Sequence, residues 1–208
     1  GFSQKKHVVP MLSLANTYSE EEIEEFINRV YKLLERKGLH FCVELKMDGT
    51  AVSVRYEKGV LVQALTRGNG KIGDLITGNI KTIKTLPLKL AGDDVPEVLE
   101  LRREVFMHKP TFQKINARRE EAGLEPMANP RNAAAGSLKL LDPKEVAKRH
   151  LDIVLYGIAE GPKINSQYEI HKYLKKFHLP VSSENHFQKC KNLEEIFRFA
   201  DKIQKIRD

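Results

Sequence analysis

After Ser19, apolar residues recur every three to four positions, and Ile23, Phe26, Ile27, Val30 and Leu34 form one stripe that predicts a helix. Ser19 with Glu22 makes a capping-box start, and Gly38 predicts the stop. Over residues 41–67 the period falls to two. Val52 and Val54, then Val60 and Val62, flank Glu57-Lys58-Gly59, which predicts three strands joined as a meander. The glycine-rich residues 67–73 read as a loop. A further strand is predicted over residues 98–107, ahead of a helix that begins near Pro110 and ends at Gly123. Residues 129–136 form a small, polar stretch. Asp142-Pro143 predicts the cap and first turn of a short helix, followed by an apolar strand over residues 151–158. Two closing helices start near Ser166 and Asn192, each with a glutamate three residues on, Glu169 and Glu195. Meandering strands with segregated helices point to an α+β fold rather than a doubly wound parallel sheet.

With 208 residues, 41% of them hydrophobic, the chain can bury the core of one domain, with or without a short appendage. No apolar run approaches the roughly 18 to 20 residues of a membrane span. The N-terminus lacks a signal-peptide pattern, so a cytoplasmic protein without membrane contact is expected. The only cysteines, Cys42 and Cys190, lie far apart, which argues against a disulfide scaffold and against zinc in this chain. Lysine and arginine total 35 against 28 acidic residues, a net charge of +7. That sign suits a partner bearing phosphates and is a weak signal alone.

Alternation over residues 41–48 sends Phe41, Val43, Leu45 and Met47 to one face and Cys42, Glu44, Lys46 and Asp48 to the other. One reading is a half-exposed strand with an ion pair. The other is a chemical site: Gly49 permits close backbone approach, and the apolar flanks would hold Lys46 in a partly dry pocket that disfavours its ammonium. A lysine attacks only as the neutral amine. The neighbouring carboxylates favour the charged form, so a divalent metal or an arginine is needed to offset them, and the substrate is expected to be anionic.

Lys46-Met47-Asp48-Gly49 matches the KxDG motif of covalent nucleotidyltransferases. Around it stand His7-Val8-Val9-Pro10-Met11-Leu12-Ser13-Leu14, Glu44-Leu45, Thr66-Arg67-Gly68, Glu104-Val105-Phe106-Met107 and Asn129-Pro130-Arg131-Asn132-Ala133-Ala134-Ala135-Gly136-Ser137-Leu138. In this order they resemble the NAD⁺-dependent DNA ligases of bacteria over nearly the whole chain. The last block separates them from ATP-dependent relatives. The resemblance implies an ATP-grasp-like nucleotidyltransferase fold, with antiparallel sheets flanked by helices, over residues 1–208. It implies that Lys46 takes AMP from NAD⁺ with release of nicotinamide mononucleotide, and that the adenylate passes to the 5′-phosphate of nicked double-stranded DNA. Asp48 would assist a metal, Mg²⁺ or Mn²⁺, or orient Lys46. Ser13 and Leu14 would line the nucleotide pocket, Glu44 would accept from the adenine amino group, Glu104 would hold the ribose, and Arg67 would neutralise phosphate charge. Arg131 and Lys139 would face nucleic acid or phosphates, and a monomer is expected. His7 is expected to be a structural hydrogen-bonding residue.

Three positions depart from the family pattern. Arg103 replaces a glycine beside Glu104, where it is expected to pair with that carboxylate or obstruct the ribose. Asn69 and Leu75 replace acidic residues. Measured against the family, the chain is expected to be a fragment that lacks the preceding nicotinamide-binding helical domain and stops before the later lysine motifs. Two rival readings are an ATP-dependent nucleotidyltransferase and a catalytically incompetent nucleic-acid-binding fragment.

Overall fold

A computed structural model describes residues 1–207. Along the chain run β1 (Gln4–Lys6), α1 (Glu20–Leu34), β2 (Phe41–Glu44), β3 (Thr50–Glu57), β4 (Val60–Thr66), β5 (Ile72–Asp74) and α2 (Thr77–Ile80). There follow β6 (Val98–Phe106), α3 (Lys109–Glu121), α4 (Pro130–Leu138), α5 (Pro143–Ala147), β7 (Asp152–Glu160), α6 (Gln167–Lys175), β8 (Phe187–Cys190) and α7 (Leu193–Arg207). The mixture of helices and antiparallel sheet fits the α+β expectation. No described helix is long and apolar enough to cross a membrane.

The chain divides into two compact units, one of residues 1–11 with 47–181 and one of residues 12–46 with 182–208. The larger is built on an antiparallel sheet in the order β4-β3-β6-β7. Lys58 and Gly59 take positive φ, which closes the β3–β4 hairpin where the sequence predicts a turn. One face of the sheet carries Val52, Val54, Tyr56, Leu99, Leu101 and Val105, each fully buried, against Ala133, Ala134 and Leu138 of α4 and Leu174 of α6. The smaller unit packs α1 and α7 around Ile27, Cys190, Ile196, Phe199 and Ile203.

Two expectations are corrected. The three strands of residues 41–67 are not one meander, because β2 pairs with β8 in a separate two-stranded sheet. The helix α1 starts at the Ser19 cap as expected but ends at Glu35, which takes the left-handed conformation ahead of Gly38. Within α1 it is Ile27 that is buried, while Phe26 stays about half exposed. The small stretch before residue 137 is helical: Asn129 caps it by accepting from the Asn132 N–H at 2.8 Å, and Pro130 opens it.

A polar tie joins Thr85, His108 and Asp152 of β7 at the edge of the sheet. Asp152 accepts from Thr85 at 2.6 Å, lies 2.9 Å from the His108 ring and accepts its neighbour's Ile153 N–H at 2.8 Å. Burial works to raise this carboxyl, but the hydrogen bonds and the His108 charge outweigh it and hold Asp152 below its ordinary range. A depressed carboxyl contributes stability above its unfolded pKa, and that contribution is lost as pH falls through the folded value. Asp152→Asn is therefore expected to lower stability by about 1 kcal/mol near neutral pH. In urea unfolding the deficit should shrink below about pH 4, the unfolded value for aspartate. A deficit that grows on acidification contradicts the assignment.

Candidate active site

The motif Lys46-Met47-Asp48-Gly49 leads directly into β3, whose register sets Thr50 opposite Val105 and Ala51 opposite Glu104 of β6. Gly49 is buried at the point of contact. A Cβ there would lie 2.1 Å from the Val105 carbonyl oxygen and 3.1 Å from Cγ of Glu104, so only hydrogen fits. The motif's glycine therefore presses its turn onto the strand that carries Glu104.

Alternation along β6 turns Leu99, Leu101, Arg103 and Val105 into the core and leaves Glu100, Arg102 and Glu104 on the opposite face. The expectation for Arg103 is thus corrected. It has no exposed surface, its guanidinium has no hydrogen-bond partner among the described residues, and it lies over the Tyr56 ring at 6.0 Å. Burial, partly opposed by Tyr56, pushes it down to about 10. Adjacent strand residues face opposite ways, so Arg103 neither pairs with Glu104 nor stands before it.

Arg67 begins the glycine-rich loop. Its backbone N–H donates to the Ala51 carbonyl at 3.1 Å, which sets it beside the residue that pairs with Glu104. Tyr156 of β7 joins them. Burial and the nearby Glu104 carboxylate raise its phenol, against the pull of Arg102 and Arg67. Sequence reasoning passed over this tyrosine, although alternation from the buried Ile153 and Leu155 places an aromatic ring on the polar face. His7 is buried, with its ring Nε2 3.2 Å from the Arg67 carbonyl oxygen, which is the structural role expected of it.

Asp48 and Arg131 are brought together, with Oδ1 3.6 Å from Nη1. Both side chains are exposed, so the pair adds little stability but sets the start of α4 beside the motif. Lys139 is exposed at the end of the same helix, where Asn79 donates to the carbonyls of Leu138 and Leu140, each at 2.8 Å.

In the smaller unit Glu44 is the last residue of β2, half-buried and paired with Phe187. Leu45 still donates to the His186 carbonyl at 2.8 Å, but His186 then turns back to Ser183, and the strand ends for want of a partner. Lys46 therefore lies beyond the strand, at the end of this unit's segment, and is exposed. Ser13 and Leu14 are exposed in a segment without regular structure. Cys42 is no rival nucleophile: burial, with Glu44 and Cys190 nearby, pushes its thiol up to about 11.

Residues 1–208 match, without remainder, the family described as NAD-dependent DNA ligase adenylation domain. The chain belongs to that family. The adenylation domain is 49% identical over 209 residues to the DNA ligase of Protochlamydia amoebophila (strain UWE25), covering 100% of this chain and 31% of that protein. It is 46% identical over 210 residues to the DNA ligase of Methylacidiphilum infernorum (isolate V4), covering 100% and 30%. With the DNA ligase of Chlamydia caviae the figures are 45% over 202 residues, 97% and 30%. The chain thus spans under a third of the length of these curated relatives. Within the adenylation domain's larger unit, Asp48, Arg67, Glu104 and Arg131 of the expected site residues gather around Gly49 and Tyr156.

Proposed function

We propose that this adenylation domain is the AMP-accepting core of an NAD⁺-dependent DNA ligase, built on an ATP-grasp-like nucleotidyltransferase fold and working as a cytoplasmic monomer. Lys46, as the neutral amine, attacks the α-phosphorus of NAD⁺. The N–P bond forms as the bond to the nicotinamide mononucleotide oxygen breaks; that oxygen keeps the electron pair, and the amine nitrogen releases a proton. The adenylate then moves to the 5′-phosphate of nicked duplex DNA, and Lys46 is regenerated. A covalent intermediate divides one hard displacement into two easier ones.

The observation that carries this reading is the close seat of Gly49 against Val105 and Glu104, with Arg67 and Tyr156 on the same face. Glu104 suits the ribose hydroxyls as an acceptor, and Arg67 suits the phosphates as a fixed positive charge. The Tyr156 ring suits stacking on a purine. Glu44 would accept from the adenine amino group, with Ser13 and Leu14 along the nucleotide. Because Lys46 is exposed, water around it has to be displaced by the bound nucleotide before it can attack. Arg131 and Lys139 would meet DNA phosphates without regard to sequence, so binding should weaken with salt.

A divalent cation, Mg²⁺ or Mn²⁺, fits the donor chemistry in part. Asp48 is an exposed carboxylate with Arg131 at 3.6 Å, and such an ion would complete its shell with water and the nucleotide's own phosphates. When bound it would supply positive charge to the phosphates.

The donor experiment tests the reading. The domain, joined to an upstream helical domain that binds the nicotinamide half, is incubated with NAD⁺ or with ATP and its intact mass recorded. One adenylate gained from NAD⁺, none from ATP and none in Lys46→Ala is the expected pattern. Gain from ATP points to the other donor class, and no gain from either leaves a nucleic-acid-binding role only.

A further inference from the structure

The polar face of the four-stranded sheet also holds a buried ion network that the chemistry above leaves unused. Glu100 is 1% exposed, accepts from Ser53 Oγ at 2.8 Å, and meets Arg55 at 3.2 Å and Arg102 at 3.3 Å. Arg55 is held in turn by Glu57 at 2.8 Å and Glu160 at 2.6 Å. A carboxylate buried this deeply needs such partners. Arg102 does more than satisfy it: the other nitrogen of its fork, Nη2, donates to the backbone carbonyl of Val9.

Val9 belongs to residues 7–11, which are laced to the loop that begins at Arg67. The His7 N–H donates to the Lys71 carbonyl at 2.9 Å, and the Met11 N–H donates to the Gly70 carbonyl at 2.8 Å. The loop itself is tight. Asn69 Oδ1 accepts from the N–H groups of Lys71 at 3.0 Å and Ile72 at 2.9 Å, and a Cβ at Gly68 would lie 1.9 Å from the Ile72 carbonyl oxygen. Residues 7–11 and the loop are therefore hydrogen-bonded into one body. Hydrogen bonds hold that body and its flanking residues to the sheet at several places, among them the Arg67 N–H to Ala51, the Asp74 N–H to Thr66 Oγ1 at 2.9 Å, and Arg102, which alone of these reaches residues 7–11 from β6.

We infer that Arg102 is a positioning residue: anchored on Glu100, it fixes residues 7–11 and through them the loop that presents Arg67 beside Glu104. The inference rests on the proposed function in one respect, that Arg67 meets a nucleotide phosphate. Arginine suits the task because Nη1 and Nη2 of one rigid planar group reach two separated acceptors at a fixed spacing, whereas lysine's three donors share a single nitrogen on a flexible stem.

Two measurements on the 208-residue chain test it, with Arg102→Met, Arg102→Lys, Arg67→Ala and the Arg102→Met, Arg67→Ala double variant. Amide hydrogen exchange should quicken in residues 7–11 and 67–73 of Arg102→Met while β3 keeps its protection. AMP affinity, read by NMR titration, should fall about tenfold in Arg102→Met, less in Arg102→Lys, and no further when Arg102→Met is added to Arg67→Ala. Unchanged exchange in residues 7–11 overturns the tie. Faster exchange with unaltered AMP affinity makes Arg102 merely structural, and losses that add to those of Arg67→Ala mean that it touches the nucleotide itself; either result overturns the inference. If the unsubstituted chain binds no AMP, the proposed function fails and the positioning role with it, while the exchange data still decide whether the tie exists.

Discussion

Arg103→Met is expected to stabilise the chain, by about 1–4 kcal/mol, because it replaces a buried and uncompensated cation with an apolar side chain of similar length. Arg103 has no exposed surface and, among the described residues, no hydrogen-bond partner for any guanidinium nitrogen, and Leu101 and Val105 flank it along the same face of β6. Its contact with Tyr56, at 6.0 Å, sits at the outer limit of a useful cation–π distance. Tyr56 thus returns only part of what the guanidinium loses on leaving water. Methionine is unbranched and fills irregular gaps, so it should leave no large void. For a chain of this size each kcal/mol corresponds to about 2–4 °C in Tm, so thermal unfolding should register the change clearly. AMP affinity should not move, since the side chain points away from Glu104. A fall in Tm of several degrees contradicts the picture of an unsatisfied guanidinium.

Gly49→Ala should act in the opposite direction and on both stability and nucleotide. The new methyl would stand 2.1 Å from the Val105 carbonyl oxygen, a backbone atom inside a paired strand that cannot swing aside. Relief requires β3 and β6 to part at the start of their pairing, and overpacking of this kind costs about 1–3 kcal/mol. The same movement displaces Glu104, whose Cγ lies 3.1 Å from the added carbon. Denaturant unfolding should therefore show a lower midpoint with an unchanged slope, and AMP affinity should drop with it. An alanine variant as stable and as tight-binding as the parent would mean that the motif does not seat against β6.

Much of the fold is legible in the sequence because its signals are local. Ser19 with Glu22, Ser166 with Glu169 and Asn192 with Glu195 announce helix starts that the structure places at those caps, with the N–H donations in place. Lys58-Gly59 announces the hairpin. What stays hidden depends on partners distant in sequence. The end of β2 at Glu44 is set by where β8 turns away, and β8 is a four-residue strand with no periodicity to show. A dry surrounding for Lys46 is inferred from flanking apolar residues as though the strand continued, and it does not. Alanines and a glycine in α4 carry no amphipathic stripe, so only the Asn129 cap and Pro130 mark it.

Within the site the residues of the motifs are legible one by one, while their grouping is not. Glu104, Arg67 and the Asp48–Arg131 pair become neighbours through β3–β6 register and through the Ala51 carbonyl. Arg103 teaches a narrower lesson. Its direction follows from alternation alone once Glu104 is placed on the polar face, so the orientation could have been read before any coordinates. Its burial without a partner could not.

The central claim is that one particular lysine carries the adenylate, and peptide mapping of the NAD⁺-treated protein tests it most directly. The domain, joined to an upstream helical domain that binds the nicotinamide half, is digested under conditions that preserve phosphoramidates, and the modified peptide is sequenced by mass spectrometry. The account predicts a single adenylated peptide, with the modification on Lys46. Adenylate found on any other lysine, with Lys46 unmodified, would contradict it.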